Sequence, residues 1–233
     1  MTIKIKNLDD LENVIGISFK DKRLLTLAFV HKSFINEHPK EKHYNERLEF
    51  LGDAVLELSV TQFLYRQYPD QPEGQLTNWR SALVKGKNLA LVSKSLDLGQ
   101  FLLLSRGEEL SGGRVKEYIL ANTLEALIGA IYLDKGFQVA DEFILKKIAY
   151  LLDEIIEQGL NVDSKSHVQE LAQERYNLTP TYELISESGP DHDKNFVMGI
   201  YFGKNRAGEG KGPSKQDAEQ SAAEDAMKKE KWN

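Results

Sequence analysis

The sequence predicts two domains: an all-α domain over residues 1–158 and a small α+β domain of order α-β-β-β-α over 163–233, joined by a linker at 159–162. Three features predict this. Apolar residues recur at helical spacing from Leu8 to about Glu157, and the polar, glycine-bearing stretch Gln158 to Asp163 interrupts them. Beyond the break, Phe196, Met198, Ile200 and Phe202 alternate with Val197, Gly199 and Tyr201, the period of a strand. With 233 residues, 41% hydrophobic and 28% charged, the chain has the composition of a globular protein and can bury two modest cores.

Asn7 or Asp9 caps a helix Leu8 to Ile15, and Asp21 opens Lys22 to Val30, where Leu24, Leu25, Leu27 and Ala28 share a face. His31-Lys32-Ser33 and the polar Glu37 to Lys42 break the pattern. A long helix, Tyr44 to Gln67, follows and is stopped by Pro69. In Gln71-Pro72-Glu73-Gly74, proline presets φ and glycine permits a positive one, which makes a turn. Helices are expected over Gln75 to Asp97, Val115 to Lys135 and Val139 to Glu157, with a polar loop from Ser105 to Arg114. In the second domain, Ser164 to Tyr176 reads as a helix and Thr181 to Ser188 as a strand. Arg206 to Gly212 reads as a glycine-spaced third strand or edge. Ser214 opens the last helix with Asp217 as its capping-box partner.

Net charge is −6, with 20 Lys and Arg against 23 Asp and Glu through residue 162 and 10 against 13 after it. Neither part is a basic domain, so contact with a polyanion has to be local. There is no cysteine, which removes disulfides and thiolate metal sites. The N-terminus alternates apolar and basic residues, and no segment approaches the length of a membrane span. A cytoplasmic protein without membrane partners is expected.

The segment Tyr44 to Leu56 carries the chemistry. On a helix, Glu46, Glu49 and Asp53 fall on one stripe while Leu48, Leu51 and Val55 lie on another. Like charges stacked this way repel unless a cation sits among them. Such a stripe is ordinarily a solvated face, but this one is embedded in the apolar run Phe50 to Val60. A second element, Ile119 to Asp134, holds Glu125 as a lone acid among apolar residues, with Asn122 one turn before it. A buried carboxylate needs a cation, a strong donor or a cleft; a hydrogen-bonded pair with an arginine such as Arg47 also satisfies it. If the two stripes meet, the oxygen donors suit Mg²⁺ or Mn²⁺ and argue against zinc. No Glu-x-x-His pair is present, which separates the set from di-iron bundles. A hard cation on carboxylates in a helical domain commonly activates water against a phosphodiester.

The run Asn45 to Leu56 resembles the signature segment of bacterial ribonuclease III. The Pro72-Glu73-Gly74 turn, the Ser105 to Glu109 and Ser111 to Arg114 loop, and the Asn122 to Glu125 segment resemble that family as well. The resemblance implies an endonuclease that cuts double-stranded RNA in rRNA and mRNA precursors with Mg²⁺, Mn²⁺ substituting. It implies 5′-phosphate and 3′-hydroxyl ends, short 3′ overhangs and no small-molecule cofactor. It assigns Glu49, Asp53, Asn122 and Glu125 to the metal, Asp53 and Glu125 to catalysis, and Glu46 and Glu73 to the RNA valley. It also assigns Phe50 to a homodimer interface. The family has Asp where this chain has Asn122, an amide that can ligate but carries no charge. A duplex-RNA binder of the same fold with weak or no cleavage is therefore the alternative, and a helical scaffold without nucleic acid is a third.

Residues 163 to 229 resemble a double-stranded RNA-binding domain through Gln169-Glu170, Gly189-Pro190-Asp191-His192 and Gly212-Pro213-Ser214-Lys215. The resemblance places Gln169, Glu170, His192, Lys211, Ser214 and Lys215 on the RNA. The helix N-terminus at Ser214, beside Lys215, can hold a phosphate, and A-form RNA is read by shape across its minor grooves. The family's basic cluster is reduced here to Lys215 and Lys211, so weak, salt-sensitive binding by this module alone is expected.

Overall fold

The computed structural model describes residues 8–157, 164–190 and 194–232, with Ser166 described for its backbone alone. The chain divides into two compact units between Asn161 and Val162. The predicted linker, 159–162, and Asn7 lie outside the described residues.

The first unit is helical throughout its described residues. It comprises α1 (Leu8–Ile15), α2 (Lys22–Ala28), α3 (Lys32–Glu37), α4 (Glu46–Gln67), α5 (Glu73–Leu83), α6 (Gly86–Ser95), α7 (Arg106–Leu110), α8 (Glu117–Lys135), α9 (Phe137–Ile144) and α10 (Leu151–Glu157). Helix α8 is its centre. Eleven of its residues, from Ile119 to Ile131, are buried, which is why the segment is apolar on nearly every side. Around it pack Leu25 and Ala28 of α2, Leu48, Val55 and Leu56 of α4, Leu89 and Val92 of α6, and Phe143 and Ile144 of α9. Near the last turn of α8, Asp134 accepts hydrogen bonds from the backbone N–H groups of Lys20 and Asp21 at 2.9 and 2.8 Å, tying the entry of α2 to the core.

The long helices α4 and α8 cross at backbone contact. A methyl group on Gly52 would overlap the carbonyl of Glu125 and come within 2.8 Å of the Gly129 nitrogen, and one on Gly129 would overlap the carbonyl of Leu48. Only glycine lets two helix backbones approach so closely.

Several predicted boundaries are corrected. The helical pattern does break at His31, but only there: His31 is the extended cap of α3, its ring Nδ1 accepting from the Ser33 N–H at 3.2 Å, and Lys32 and Ser33 are already helical. Asp9 lies inside the first turn of α1 and is not its cap. The single helix expected from Gln75 to Asp97 is two helices. Lys85 turns extended between them, and the Asn88 amide donates to the Ala82 carbonyl at 2.8 Å, closing the end of α5. Glu73 is the first residue of α5 rather than part of a free turn, with Pro72 as its N-cap. The Ser105 to Arg114 loop contains α7, capped by the Ser105 hydroxyl on the Glu108 N–H, and Val115 lies in a 3₁₀ turn before α8. The predicted Val139 to Glu157 helix starts earlier and contains a π-helical turn, Leu145–Ala149.

The second unit has α11 (Ser164–Tyr176), β1 (Thr181–Ser188), β2 (Asn195–Phe202), β3 (Asn205–Gly212) and α12 (Lys215–Glu230), the predicted order. The antiparallel sheet runs β1-β2-β3, with a bulge between Leu184 and Ser186. The glycine spacing of β3 has a steric cause. Methyl groups on Gly208, Gly210 and Gly212 would collide with the α12 backbone around Ala226, Ala222 and Ala218. Glycines two apart on a strand thus meet alanines four apart on a helix. Trp232 closes this core, stacked on Phe202 with ring centroids 5.3 Å apart.

Introducing a methyl group at the α4–α8 crossing should be far more damaging than in open space. Gly52→Ala is expected to lower unfolding free energy by about 3 kcal/mol in denaturant titration, while Gly74→Ala, with no atom within 4 Å, is expected to be neutral or stabilising. Equal effects at the two positions would refute backbone contact as the constraint.

Candidate active site

The crossing of α4 and α8 brings the two predicted acidic stripes together. Gly52 presses on the backbone of Glu125, so Asp53, the next residue, and Glu49, one turn earlier, fall beside the Glu125 side chain. Electrostatics record the convergence. Burial, followed by the charges of Asp53 and Glu49, pushes the Glu125 carboxyl up to about 7. Burial likewise raises Glu49, with Glu46 and Asp53 adding to it, while a hydrogen bond from the Asn122 amide lowers it in part. Glu49, Asp53, Asn122 and Glu125 therefore form one group, with Glu46 at its edge. The charges acting on Glu125 are acidic, so pairing with Arg47 is not realised and Arg47 is exposed.

Glu73 lies in the first turn of α5, where it accepts from the Thr77 hydroxyl at 2.9 Å, and it does not contribute to the shifts of Glu49 or Glu125. Phe50 is 80% exposed on α4 and belongs to neither core.

The donor set is all oxygen and its excess charge is negative, as a hard divalent cation requires. Among the described residues no three His, Asp or Glu side chains are gathered tightly enough to enclose an ion in this conformation. The chemistry of the donors fits such an ion, with the Asn122 amide already hydrogen-bonded to Glu49.

A cavity of about 410 Å³ adjoins the acids, and Glu46, Glu49 and Asn122 form part of its wall. Its other side is held by a scaffold that the sequence did not disclose. The Val30 to His31 backbone bridges Leu103, with the His31 N–H donating to the Leu103 carbonyl at 3.1 Å. The Ser33 hydroxyl contacts His31 Nδ1 at 2.9 Å and accepts from the Ser105 N–H at 3.0 Å. Burial holds the His31 pKa below its ordinary value despite the nearby charges of Glu108 and Glu46. Arg114 then fastens the connection before α7, its guanidinium donating to the carbonyls of Gly99, Gln100 and Leu102 at 2.9–3.2 Å. The His-x-Ser pattern at residues 31–33 was the available signal for the α3 cap; nothing local marked Arg114.

In the second unit, Gln169 and Glu170 are exposed on α11, and Lys215 is exposed at the start of α12. Ser214 caps α12, accepting from the Asp217 N–H at 3.1 Å. Lys211 is exposed on β3, alternating with the glycines that face α12. His192 lies outside the described residues.

Comparison with known proteins follows the same division. The Ribonuclease-III-like family matches residues 21–152, and the double-stranded RNA binding motif matches residues 164–230. Ribonuclease 3 of Protochlamydia amoebophila is 44% identical over 96% of this chain and 92% of its own length. Ribonuclease 3 of Syntrophobacter fumaroxidans is 46% identical over 94% of this chain and 93% of its own. A crystal structure of the Campylobacter jejuni Ribonuclease III nuclease domain superposes with a TM-score of 0.58 at 46% identity, covering 62% of this chain and 95% of that one. A second structure of that domain, described as flexible in the region involved in dimer formation, matches equally well.

A helical nuclease domain followed by a duplex-RNA-binding unit defines the class: an endoribonuclease directed at double-stranded RNA. The chain belongs to the ribonuclease III family.

The raised carboxyl has a thermodynamic signature. Between the ordinary value, 4.5, and about 7, the folded chain keeps a proton on Glu125 that the unfolded chain releases. Stability therefore declines as pH rises through that window and stays lowered above it. In EDTA at pH 8, Glu125→Gln should melt a few degrees higher than the parent, and the gain should vanish near pH 4.5. A lower melting temperature for the variant at pH 8 would show that the carboxylate is not held against repulsion.

Proposed function

We propose that this chain hydrolyses double-stranded RNA with Mg²⁺, Mn²⁺ substituting, at a site made by Glu49, Asp53, Asn122 and Glu125. The observation that carries this is the meeting of three carboxylates from two helices around a partly buried Glu125, with no cationic side chain acting on it. Bound there, the ion supplies an activated water at neutral pH and offsets charge on the phosphoryl oxygens. Asp53 and Glu125 are the acids closest to the chemistry. Glu49 shares the ion, and Glu46 and Glu73 line the valley that receives the RNA. The products carry 5′-phosphate and 3′-hydroxyl ends with short 3′ overhangs, and the substrates are rRNA and mRNA precursors in the cytoplasm. Among the described residues no helix is long and apolar enough to cross a membrane.

Gln169, Glu170, His192, Lys211, Ser214 and Lys215 hold the duplex by its grooves and phosphates, so affinity falls as salt rises. Two copies pair through Phe50, whose exposed ring is costly to leave in water, and two sites then face opposite strands of one duplex. Sedimentation should give a dimer at micromolar concentration that Phe50→Ala weakens; a monomeric parent would contradict the pairing.

A weakly cleaving duplex binder is the second reading, favoured by one observation. The Asn122 amide donates to Glu49, occupying a ligand oxygen in a way that Asp cannot. Titrating metal against cleavage of a labelled duplex tests both readings. The parent is expected to cut with Mg²⁺ or Mn²⁺ and not in EDTA, and Asn122→Asp is expected to reach half-maximal rate at several-fold lower metal. Retention of duplex without cutting at any metal concentration would leave only the binder, and coincident curves would remove Asn122 as the limiting ligand.

A further inference from the structure

The cavity beside the acids contains a group that the metal site does not use. Lys32, in the first turn of α3, lines it together with Asn36, Asn45 and Tyr118. Of the residues lining the cavity it alone carries a fixed positive charge. Its ammonium stands 3.3 Å from Glu46 and 5.8 Å from the Tyr44 ring centroid, and its side chain is 65% exposed. Glu46 in turn lies one helical turn, about 4.5 Å along the axis, from Glu49. The cavity wall therefore carries the lysine together with Glu46, Glu49 and Asn122.

A polyanion approaching this surface meets an electrostatic conflict. Glu46, Glu49, Asp53 and Glu125 repel phosphates on both sides of the scissile one, and an ion at the ligand oxygens neutralises only the phosphate it touches. Lys32 is placed to hold a neighbouring phosphate. Its pair with Glu46 is long and exposed, the kind that contributes little and exchanges readily for a stronger anion. Asn36 and Asn45 add amide groups along the wall, Asn45 being only 3% exposed with its nitrogen directed to the Ala28 carbonyl at 3.4 Å. Tyr118, 58% exposed, adds an aromatic ring and a hydroxyl to the lining.

We propose that Lys32 is a substrate-positioning residue: it leaves Glu46 to bind a backbone phosphate of the strand being cut, adjacent to the scissile one, with the cavity seating the nucleotide between them. The proposal rests on the hydrolytic reading above.

The test uses the full chain, a labelled RNA duplex and saturating Mg²⁺. Lys32→Ala is expected to raise KM about tenfold with kcat changed less, and to reduce the slope of log kcat/KM against log salt by about one. Lys32→Arg should recover most of the KM, and the melting temperature of both variants should stay at the parent value. A double-mutant cycle separates phosphate contact from mere pairing with Glu46. In a Glu46→Gln background, Lys32→Ala should still raise KM by a similar factor. Loss of that effect in the Gln background, or an unchanged salt slope in a parent that cuts normally, would overturn the role of Lys32 and leave the hydrolytic reading standing. A parent that does not cut under any metal would overturn both.

Discussion

The approach of Gly52 to the Glu125 backbone and of Gly129 to that of Leu48 is the contact on which the chemistry of the first unit depends. Helices separated by ordinary side chains lie 8–10 Å apart, and the paired glycines bring these two backbones into direct contact. Removing the side chains at the crossing lets Asp53 and Glu125 act on one another directly. The same contact closes the core, because it seats α4 against the buried face of α8. Fold stability and site geometry are therefore set by the same two residues.

The site is also where the fold spends stability. Glu125 is held against burial and against two other acids, and its carboxyl rises accordingly. Several other acids of this unit are compensated. Glu108 takes the Lys116 ammonium at 2.6 Å, Asp134 takes two backbone N–H groups, and Glu12 pairs with Lys22. The uncompensated set lies next to a cavity whose lining carries a single fixed cation, Lys32. With a net charge of −6, contact with RNA depends on the local potential at the surface that meets it and not on the sum over the chain.

The second unit repeats the small-residue device for a different purpose. Glycines on β3 and alanines on α12 let helix and sheet meet at backbone distance, and the aromatic group of Tyr176, Phe202 and Trp232 fills the end of this thin core. A unit of this size has little apolar surface to bury, so close packing stands in for bulk. Its exposed polar residues remain available on α11, β3 and the N-terminus of α12.

Periodicity alone determined the two-unit division, the class of each element in the second unit and the two acidic stripes, because those depend on which residues share a face of a local element. Apolar positions of α4 and α8 were legible for the same reason, and so was the Ser214 cap. The break between α5 and α6 was not, since Lys85 leaves helical conformation without a proline to announce it. Nor was α3, whose cap is a histidine ring rather than a common capping residue. Tertiary structure alone decided that the stripes meet, that Glu125 faces acids and not Arg47, and that Lys32 shares a cavity with Glu46, Glu49 and Asn122. Those relations join residues distant in sequence through the crossing of two helices, and no local pattern encodes where a helix crosses another.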